Sequence, residues 1–408
     1  MVTLVASEVQ VDVANLTVGM YVCGLDRDWL GTPFPLQGFY VYDDEQIAGL
    51  RKLCDYVIVD RARSNIPLAV TAEMLMQPRE VRLRVTEYRN TTTLAEEMPR
   101  AREAHDTAAA FASKVMADVR QGQKIAVEDV REAVMPVVKS VMRNADAFLW
   151  ISSLGKRDVY EYDHAINCSL FAAAFGRHMG FGEETLINLA TGGLLLDVGK
   201  SALPDSLLQM EGAMTDSERR EMRTHVTHGL ALLEQSGVYA PDVVDMVRTH
   251  HERYDGAGYP DGLARNEIPL FGRMAAVIDS YDALTSVRPY RKKLAPHQAL
   301  QQIYRERGRR YHGEIVEQFM QCLSVYPTGS LVELSTGEIA IVMAQNFARR
   351  LRPRVMVLTT PDKKLAEEFR ELDLLDSATK GDDGKPVEVV GTLEHGAYGI
   401  DPTELYLI

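Results

Sequence analysis

The 408-residue chain carries 45 Lys and Arg against 58 Asp and Glu, a formal net charge of −13, with 46% apolar and 25% charged residues. This is ordinary globular composition, which excludes a mainly disordered chain and, at roughly 100–200 residues per domain, predicts about two to four structural units. The acidic balance argues against non-specific binding to nucleic-acid polymers or anionic membranes, which need a basic surface, and at first sight against any polyanionic ligand.

The opening residues, Met1 to Glu8, lack the basic stretch and long apolar run of a signal peptide. No charge-free apolar run reaches the roughly 17–25 residues of a membrane helix. Cys23, Cys54, Cys168 and Cys322 lie far apart without a CxxC pair. They read as free thiols of a reducing, cytoplasmic compartment.

Residues 8 to about 62 have a β texture. Val9, Val11 and Val13 alternate with polar residues, and Tyr40-Val41-Tyr42 and Tyr56-Val57-Ile58-Val59 are β-branched and aromatic runs. Between them, Asp43 to Leu53 reads as a short helix capped by Asp43 or Asp44. Residues 62–92 read as a connector. From Thr93 the period becomes helical: Ala108, Phe111, Val115 and Val119 share a face, and Gly122 ends that helix. A second helix is expected from about Val127 to Phe148, with Val130, Val134, Val137 and Val141 on its apolar face. Such paired apolar helices without another partner suggest a homodimer through residues 93–148. Helix continues from Tyr160 to about Tyr326 without a convincing strand. Beyond Pro327, Val332, Leu334, Ile339, Ile341, Val355, Val357, Val387, Val389 and Leu405-Tyr406-Leu407 suggest a small sheet, with residues 380–385 as a polar turn. The Arg349–Arg354 cluster reads as a solvated strand edge.

The chemistry concentrates in residues 160–292. His164, Asp197, His225, His250, His251 and Asp279 are separated by 33, 28, 25, 1 and 28 residues. These spacings are too long for a zinc finger. They suit a bundle in which separate helices each bring one or two ligands inward. Imidazole and carboxylate are suited to Fe, Mn, Zn, Ni or Mg.

The flanking residues carry a resemblance. His250-His251-Glu252-Arg253-Tyr254-Asp255-Gly256-Ala257-Gly258-Tyr259-Pro260-Asp261-Gly262-Leu263 resembles the HHExxDGxGYPxGL signature of the HD-GYP family. The match continues through Ile268-Pro269-Leu270, Arg273 to Thr285, and Arg288-Pro289-Tyr290-Arg291. It covers about residues 160–326. The N-terminal β segment resembles, more loosely, a small uncharacterised domain that often precedes HD-GYP modules. The resemblance implies a mainly α fold, an all-helical HD-type metal-dependent phosphohydrolase bundle flanked by small N-terminal and C-terminal β-rich segments. The implied domains are a regulatory or sensory 1–92, a helical linker 93–154, a catalytic 155–326 and a β-rich 327–408.

The same resemblance implies a bacterial phosphodiesterase that hydrolyses cyclic di-GMP to linear pGpG, and in some members to GMP. It implies one or two divalent ions, Fe or Mn first, with Ni, Zn and Mg as other candidates, and diguanylate cyclase (GGDEF) proteins as possible partners. Residue by residue, His164, Asp197, His225, His250, His251 and Asp279 match the metal ligands, with Asp197 bridging. Lys200 matches the lysine beside the scissile phosphate, so Asp197 and Lys200 are the catalytic candidates. Arg288 and Arg291 match phosphate contacts, and Tyr259 is the tyrosine of the GYP loop. Asp255 and Gly256 of that loop complete the substrate-binding candidates.

The chain departs from the family pattern in three places. The HD pair is Leu196-Asp197, and leucine cannot ligate a metal. The half-site of His164, Asp197 and Asp279 is therefore one ligand short. Tyr160 stands where trinuclear members carry a glutamate, with Glu161 one position off, which argues against a third ion. Val226 replaces a usual proline. Asp282 reads as a hydrogen-bonding partner and His228 as an exposed residue or a substitute ligand. His178, His297 and His312 lack supporting context. Two functions follow: an active phosphodiesterase, or a catalytically weakened module that senses cyclic di-GMP or binds a partner protein. A pocket holding Lys200, Arg288, Arg291 and divalent cations is locally positive within an acidic protein, so the global charge does not exclude an anionic ligand.

Overall fold

The computed structural model describes residues 8–13, 16–26, 39–41, 44–60, 64, 88–153, 160–210, 212, 214–237, 240–286, 293–346, 349–376, 378–381, 384–394 and 396–400. The chain forms two compact units, residues 1–82 and 83–408.

The first unit is an antiparallel sheet of β1 (Glu8–Asp12), β2 (Tyr21–Leu25), β3 (Phe39–Tyr40) and β4 (Tyr56–Asp60), in the order β1-β4-β2-β3. The run Tyr56-Val57-Ile58-Val59 is buried at Val57, Ile58 and Val59. A continuous apolar run suits this strand, which is paired on both edges and covered on both faces. Helix α1 (Asp44–Leu53) packs Ile47 and Leu50 against Val22, Val57 and Val59.

The second unit opens with α2 (Leu94–Arg120), started by a capping box in which Thr93 and Glu96 satisfy each other's backbone amides. Its fully buried Glu97 accepts from Arg143 at 2.6 and 2.8 Å and from Ser140 at 2.8 Å, which ties α2 to α3 (Val127–Arg143). Val130, Val134, Val137 and Val141 of α3 are wholly buried within the chain. Each contributes about 1.5–3 kcal/mol by burial. The apolar face that suggested a dimer is thus covered by the chain's own helices, since α3 packs on α2, α5 and α6.

The helix expected to run to Phe148 stops at Arg143. Asn144 turns to extended backbone (φ −157°, ψ 102°), its Nδ2 donates to the Thr92 carbonyl at 2.8 Å, and its Oδ1 accepts the Asp146 amide at 3.1 Å. A side chain that satisfies the backbone locally competes with helix continuation. The chain restarts as α4 (Ala145–Ser153). Then follow α5 (Tyr160–His178), α6 (Glu183–Leu195), a 3-10 turn (Val198–Ala202), α7 (Asp205–Leu208), α8 (Asp216–Arg223), α9 (His225–Ser236), α10 (Pro241–Thr249), α11 (Leu270–Thr285), α12 (Pro296–Arg305) and α13 (Gly313–Leu323). The mainly helical fold with β-rich ends holds. No helix among the described residues is long and apolar enough to cross a membrane.

The closing sheet has β5 (Leu331–Leu334), β6 (Ile339–Ala344), β7 (Arg354–Thr359), β8 (Leu365–Asp373) and β9 (Val389–Thr392), all antiparallel, in the order β8-β7-β6-β5-β9. Strand β6 is buried along its whole length because its two faces serve different cores. Ile339, Ile341 and Met343 join the helical core, while Ala340 and Val342 join Val332, Leu334, Val355 and Val357 in a second one. The Arg349–Arg354 cluster is not a sheet edge: it leads into β7, an interior strand, and Arg350, Arg352 and Arg354 engage Gln321, Glu388 and Glu371. Leu405-Tyr406-Leu407 lie outside the described residues.

Candidate metal centre

Five segments bring the six predicted ligands together. Helix α5 carries His164, and α6 delivers Asp197 at the entry to the 3-10 turn that carries Lys200. His225 is the first residue of α9, His250 caps α10 with His251 next to it, and α11 carries Asp279. The glycine of the Asp197-Val198-Gly199-Lys200 stretch has a local reason. A Cβ at Gly199 would stand 1.9 Å from the His225 carbonyl oxygen and 2.4 Å from the Gly229 amide. Only glycine lets the turn lie directly on the α9 backbone, which sets Asp197 opposite His225.

Asp197 divides its carboxylate. Oδ1 faces His225 Nε2 at 3.3 Å and His250 Nε2 at 3.8 Å, and Oδ2 faces His164 Nε2 at 3.3 Å. Lys200 Nζ also pairs with Oδ2. Asp279 Oδ1 lies 3.3 Å from His164 Nε2. Three donor groups result: Asp197-His225-His250-His251 and His164-Asp197-Asp279, which share Asp197 and are the two sets built from predicted ligands, and His164-Cys168-Asp282 behind them. Leu196, 2% exposed, belongs to the hydrophobic core and contributes no donor.

The ring orientations fit a cation. His225 Nδ1 donates to the Met222 carbonyl at 2.7 Å, and His250 Nδ1 donates to the Val247 carbonyl at 2.9 Å. A carbonyl only accepts, so in the neutral rings the proton sits on Nδ1 and the lone pair on Nε2. The two Nε2 atoms nevertheless face each other at 3.4 Å. Two acceptors at that distance call for a shared cation. Burial pushes His225 down to about 4 and also lowers His250 and His251, which keeps all three in the neutral, ligating form.

The other set is electrostatically opposite. Burial opposes protonation of His164, but Cys168, Asp197, Asp279 and Asp282 outweigh it and hold the ring well above its usual range. A cation held there would take the place of that proton. Burial likewise opposes ionisation of Asp197, and Lys200, His164 and His225 reverse it, leaving the carboxyl well below its usual range.

Several residues escaped the sequence reading. Asp282, 1% exposed, accepts from His164 Nδ1 at 2.6 Å and from Asn167 Nδ2 at 2.7 Å, as its expected partner role requires, but Asn167 itself gave no signal beyond lying one turn past His164. Cys168 Sγ touches the His164 ring at 3.7 Å, and burial raises its thiol to about 12. Glu252 accepts the Asp261 and Gly262 amides at 2.7 and 3.0 Å and so closes the GYP loop. Its place directly after His250-His251 was the available signal.

Tyr259 stacks on His251, with ring centroids 4.7 Å apart at 27°. Asp255 is engaged by Arg253 at 2.7 and 3.0 Å and by the Ala257 amide at 3.1 Å, and Gly256 takes φ +77°, which favours glycine at this turn. His228 is half-buried and joins neither donor set. His178 pairs with Gln318 at 3.0 Å. Arg288 and Arg291 lie outside the described residues, as do the side chains of Tyr160 and Glu161.

A helical bundle with imidazoles and carboxylates gathered in this way defines an HD-type, divalent-metal-dependent phosphohydrolase fold. Family comparison matches residues 151–315 to an HD domain, residues 8–130 to a domain of unknown function (DUF3391) and residues 331–380 to a KOW domain associated with HD domain. The chain is 31% identical over 372 residues, 90% of its length and 88% of the relative's, to the cyclic di-GMP phosphodiesterase PA4108 of Pseudomonas aeruginosa. It is 34% identical to a cyclic di-GMP phosphodiesterase of Thermotoga maritima, over 40% of this chain and 45% of that one. It is 31% identical to the 3'3'-cGAMP-specific phosphodiesterase 2 of Vibrio cholerae, over 39% and 30%. The chain belongs to the HD-GYP family.

Proposed function

We propose that the chain hydrolyses cyclic di-GMP to linear pGpG, and that the divided carboxylate of Asp197 is what makes this possible. His225, His250, His251 and Asp197 would hold one divalent ion, and His164, Asp197 and Asp279 a second. The mixed imidazole and carboxylate donors favour Fe or Mn. When bound, such ions neutralise the phosphodiester and acidify a water for attack.

The chain's own residues prepare the rest. The Lys200 side chain is 22% exposed and touches Asp197, so its ammonium reaches both the carboxylate and the space in front of it. As a compact point cation it can hold a phosphate oxygen there and steady the departing one. His225 and His250 are fixed by backbone carbonyls and His164 by Asp282, so none has to reorient when substrate arrives. Tyr259, packed on His251, forms one wall for the substrate. Arg288 and Arg291 are the candidates for gripping its phosphates. None of Cys23, Cys54, Cys168 and Cys322 forms a disulfide among the described residues, which suits a cytoplasmic setting.

The deciding experiment measures metal content and turnover of cyclic di-GMP with added Mn²⁺ or Fe²⁺. Two ions per chain with accumulation of linear pGpG is the expected result. Micromolar binding without turnover would overturn it and leave the sensor reading, which the donor-free Leu196 favours.

A further inference from the structure

Tyr259 meets two side chains across its ring. One face packs on His251, and over its ring lies the guanidinium of Arg223, with Cζ 4.8 Å from the ring centroid. Arg223 is the last residue of α8, next to Met222, whose carbonyl holds His225. Its backbone is therefore fixed by the same turn that sets a predicted ligand. The side chain is exposed and forms no ion pair among the described residues, although the protein carries 13 more acidic than basic groups.

A second arginine lies at the same rim. The Arg310 carbonyl accepts the Tyr254 amide at 3.0 Å, tying its loop to the GYP segment. Its guanidinium lies 5.3 Å from the centroid of Tyr311, whose hydroxyl donates to Ser280, the neighbour of Asp279. Arg310 also bears electrostatically on Tyr259, as does Arg223. Arg310 too is exposed without an ion pair among the described residues. A guanidinium stacked on an aromatic ring keeps its in-plane N–H edge free for a bidentate acceptor.

A cyclic dinucleotide has two phosphodiesters, and only one can occupy the metal centre. We propose that Arg223, supported by Arg310, holds the phosphodiester that is not being cleaved and thereby selects cyclic dinucleotides over single diesters. This inference rests on the phosphodiesterase reading but concerns binding, so the two can fail separately. It assigns Arg223 a role in recognition, with no part in bond cleavage.

The test titrates Mn²⁺-loaded full-length protein, the wild type and Arg223→Ala, with the slowly hydrolysed bisphosphorothioate of cyclic di-GMP, with cyclic di-AMP, and with bis(p-nitrophenyl) phosphate as a single-diester competitor. Loss of an exposed charge-assisted contact weakens binding about tenfold. The ratio of cyclic-dinucleotide to single-diester affinity should fall by that factor, equally for the guanine and adenine ligands. Arg223→Lys should recover part of the loss. A fall limited to the guanine ligand would overturn the proposal by making Arg223 a base reader, and an unchanged ratio would overturn it outright. Turnover of cyclic di-GMP by the wild type is scored separately: its failure removes the phosphodiesterase reading while the affinity ratio still decides Arg223. Arg310→Ala should produce a smaller change in the same direction, and a larger one would overturn the assignment of Arg223 as the principal contact.

Discussion

The two donor sets that meet at Asp197 are built from opposite materials. One gathers three imidazoles around a single carboxylate oxygen; the other gathers two carboxylates around a single imidazole. In the first, burial keeps the rings neutral and their lone pairs free. In the second, the acids pull a proton onto His164, so an incoming cation must compete with it. By the family resemblance, the second set is also the one that lacks a donor at Leu196. If each set takes an ion, as proposed, the two should bind with unequal affinity, the histidine-rich set filling first, and occupancy of the carboxylate-rich set would then separate an efficient enzyme from a weak one.

Removing what the sets share should have the largest effect. Asp197→Ala strips one donor from each and leaves Lys200 without its partner. Altering groups behind metal ligands already costs about 10–100-fold. Losing a shared ligand should lower cyclic di-GMP turnover by more than about 100-fold and bring metal content below one ion per chain by elemental analysis. Retention of two ions would show that the sets do not depend on Asp197.

Asp282→Asn should separate the sets. Asp282 touches only His164 among the predicted ligands, and Asn167 and Ser286 lean on it at 2.7 and 3.2 Å. The substitution removes the charge that orients and enriches the His164 ring. Calorimetric titration with Mn²⁺ should show the weaker site losing about 10–100-fold in affinity while the tighter one stays nearly unchanged. Equal loss at both would mean that the sets are one cooperative unit.

Leu196→His adds the missing donor and should tighten the weaker ion about tenfold. The position is 2% exposed, so without metal an unpartnered imidazole there costs about 1–3 kcal/mol of stability. The expected signature is a lower melting temperature in chelator and a larger gain on adding Mn²⁺ than in the parent chain. A lower melting temperature with no extra gain would show that the site has been remodelled beyond one side chain.

The degree to which the sequence revealed this site follows from its physics. The six candidate donors were legible through the family resemblance, and at one point of that pattern, Gly199 against the His225 carbonyl, the structure gives a geometric reason. Element types were legible from periodicity, and α1, α2 and the start of α3 lie where it places them. The break at Asn144 was not, because it depends on the Thr92 carbonyl, 52 residues earlier. The double role of β6 was hidden for a similar reason: an unbroken apolar run does not say that its alternate residues serve two cores. Arg223 was missed because its partner, the Tyr259 ring, lies 36 residues away in sequence, and no local pattern marks a cation placed over a ring.

Asp146, which joins neither donor set, offers a control on the electrostatics. It is a buried carboxylate without a cation at hydrogen-bonding distance among the described residues. The Gln345 amide and Asn90 reach it at 3.3 Å each, and Arg177 and Arg354 act only from further away. Burial dominates and pushes it up to about 6, whereas Asp197 and Asp279, buried beside cationic partners, move down. A carboxyl whose folded-state value lies above its unfolded one favours the fold when protonated. That stability is fully present below about pH 4 and is lost as pH rises through about 6, amounting to about 3 kcal/mol at most. Asp146→Asn cannot ionise. The difference in unfolding free energy between the two proteins, from urea titrations in chelator between pH 4 and pH 7, should move toward the Asn variant as pH rises, because every other titrating group is common to both. A difference independent of pH would show that the neighbouring donors stabilise the charge as effectively as Lys200 and the histidines do at Asp197. Burial would then not be what separates the two kinds of carboxylate in this protein.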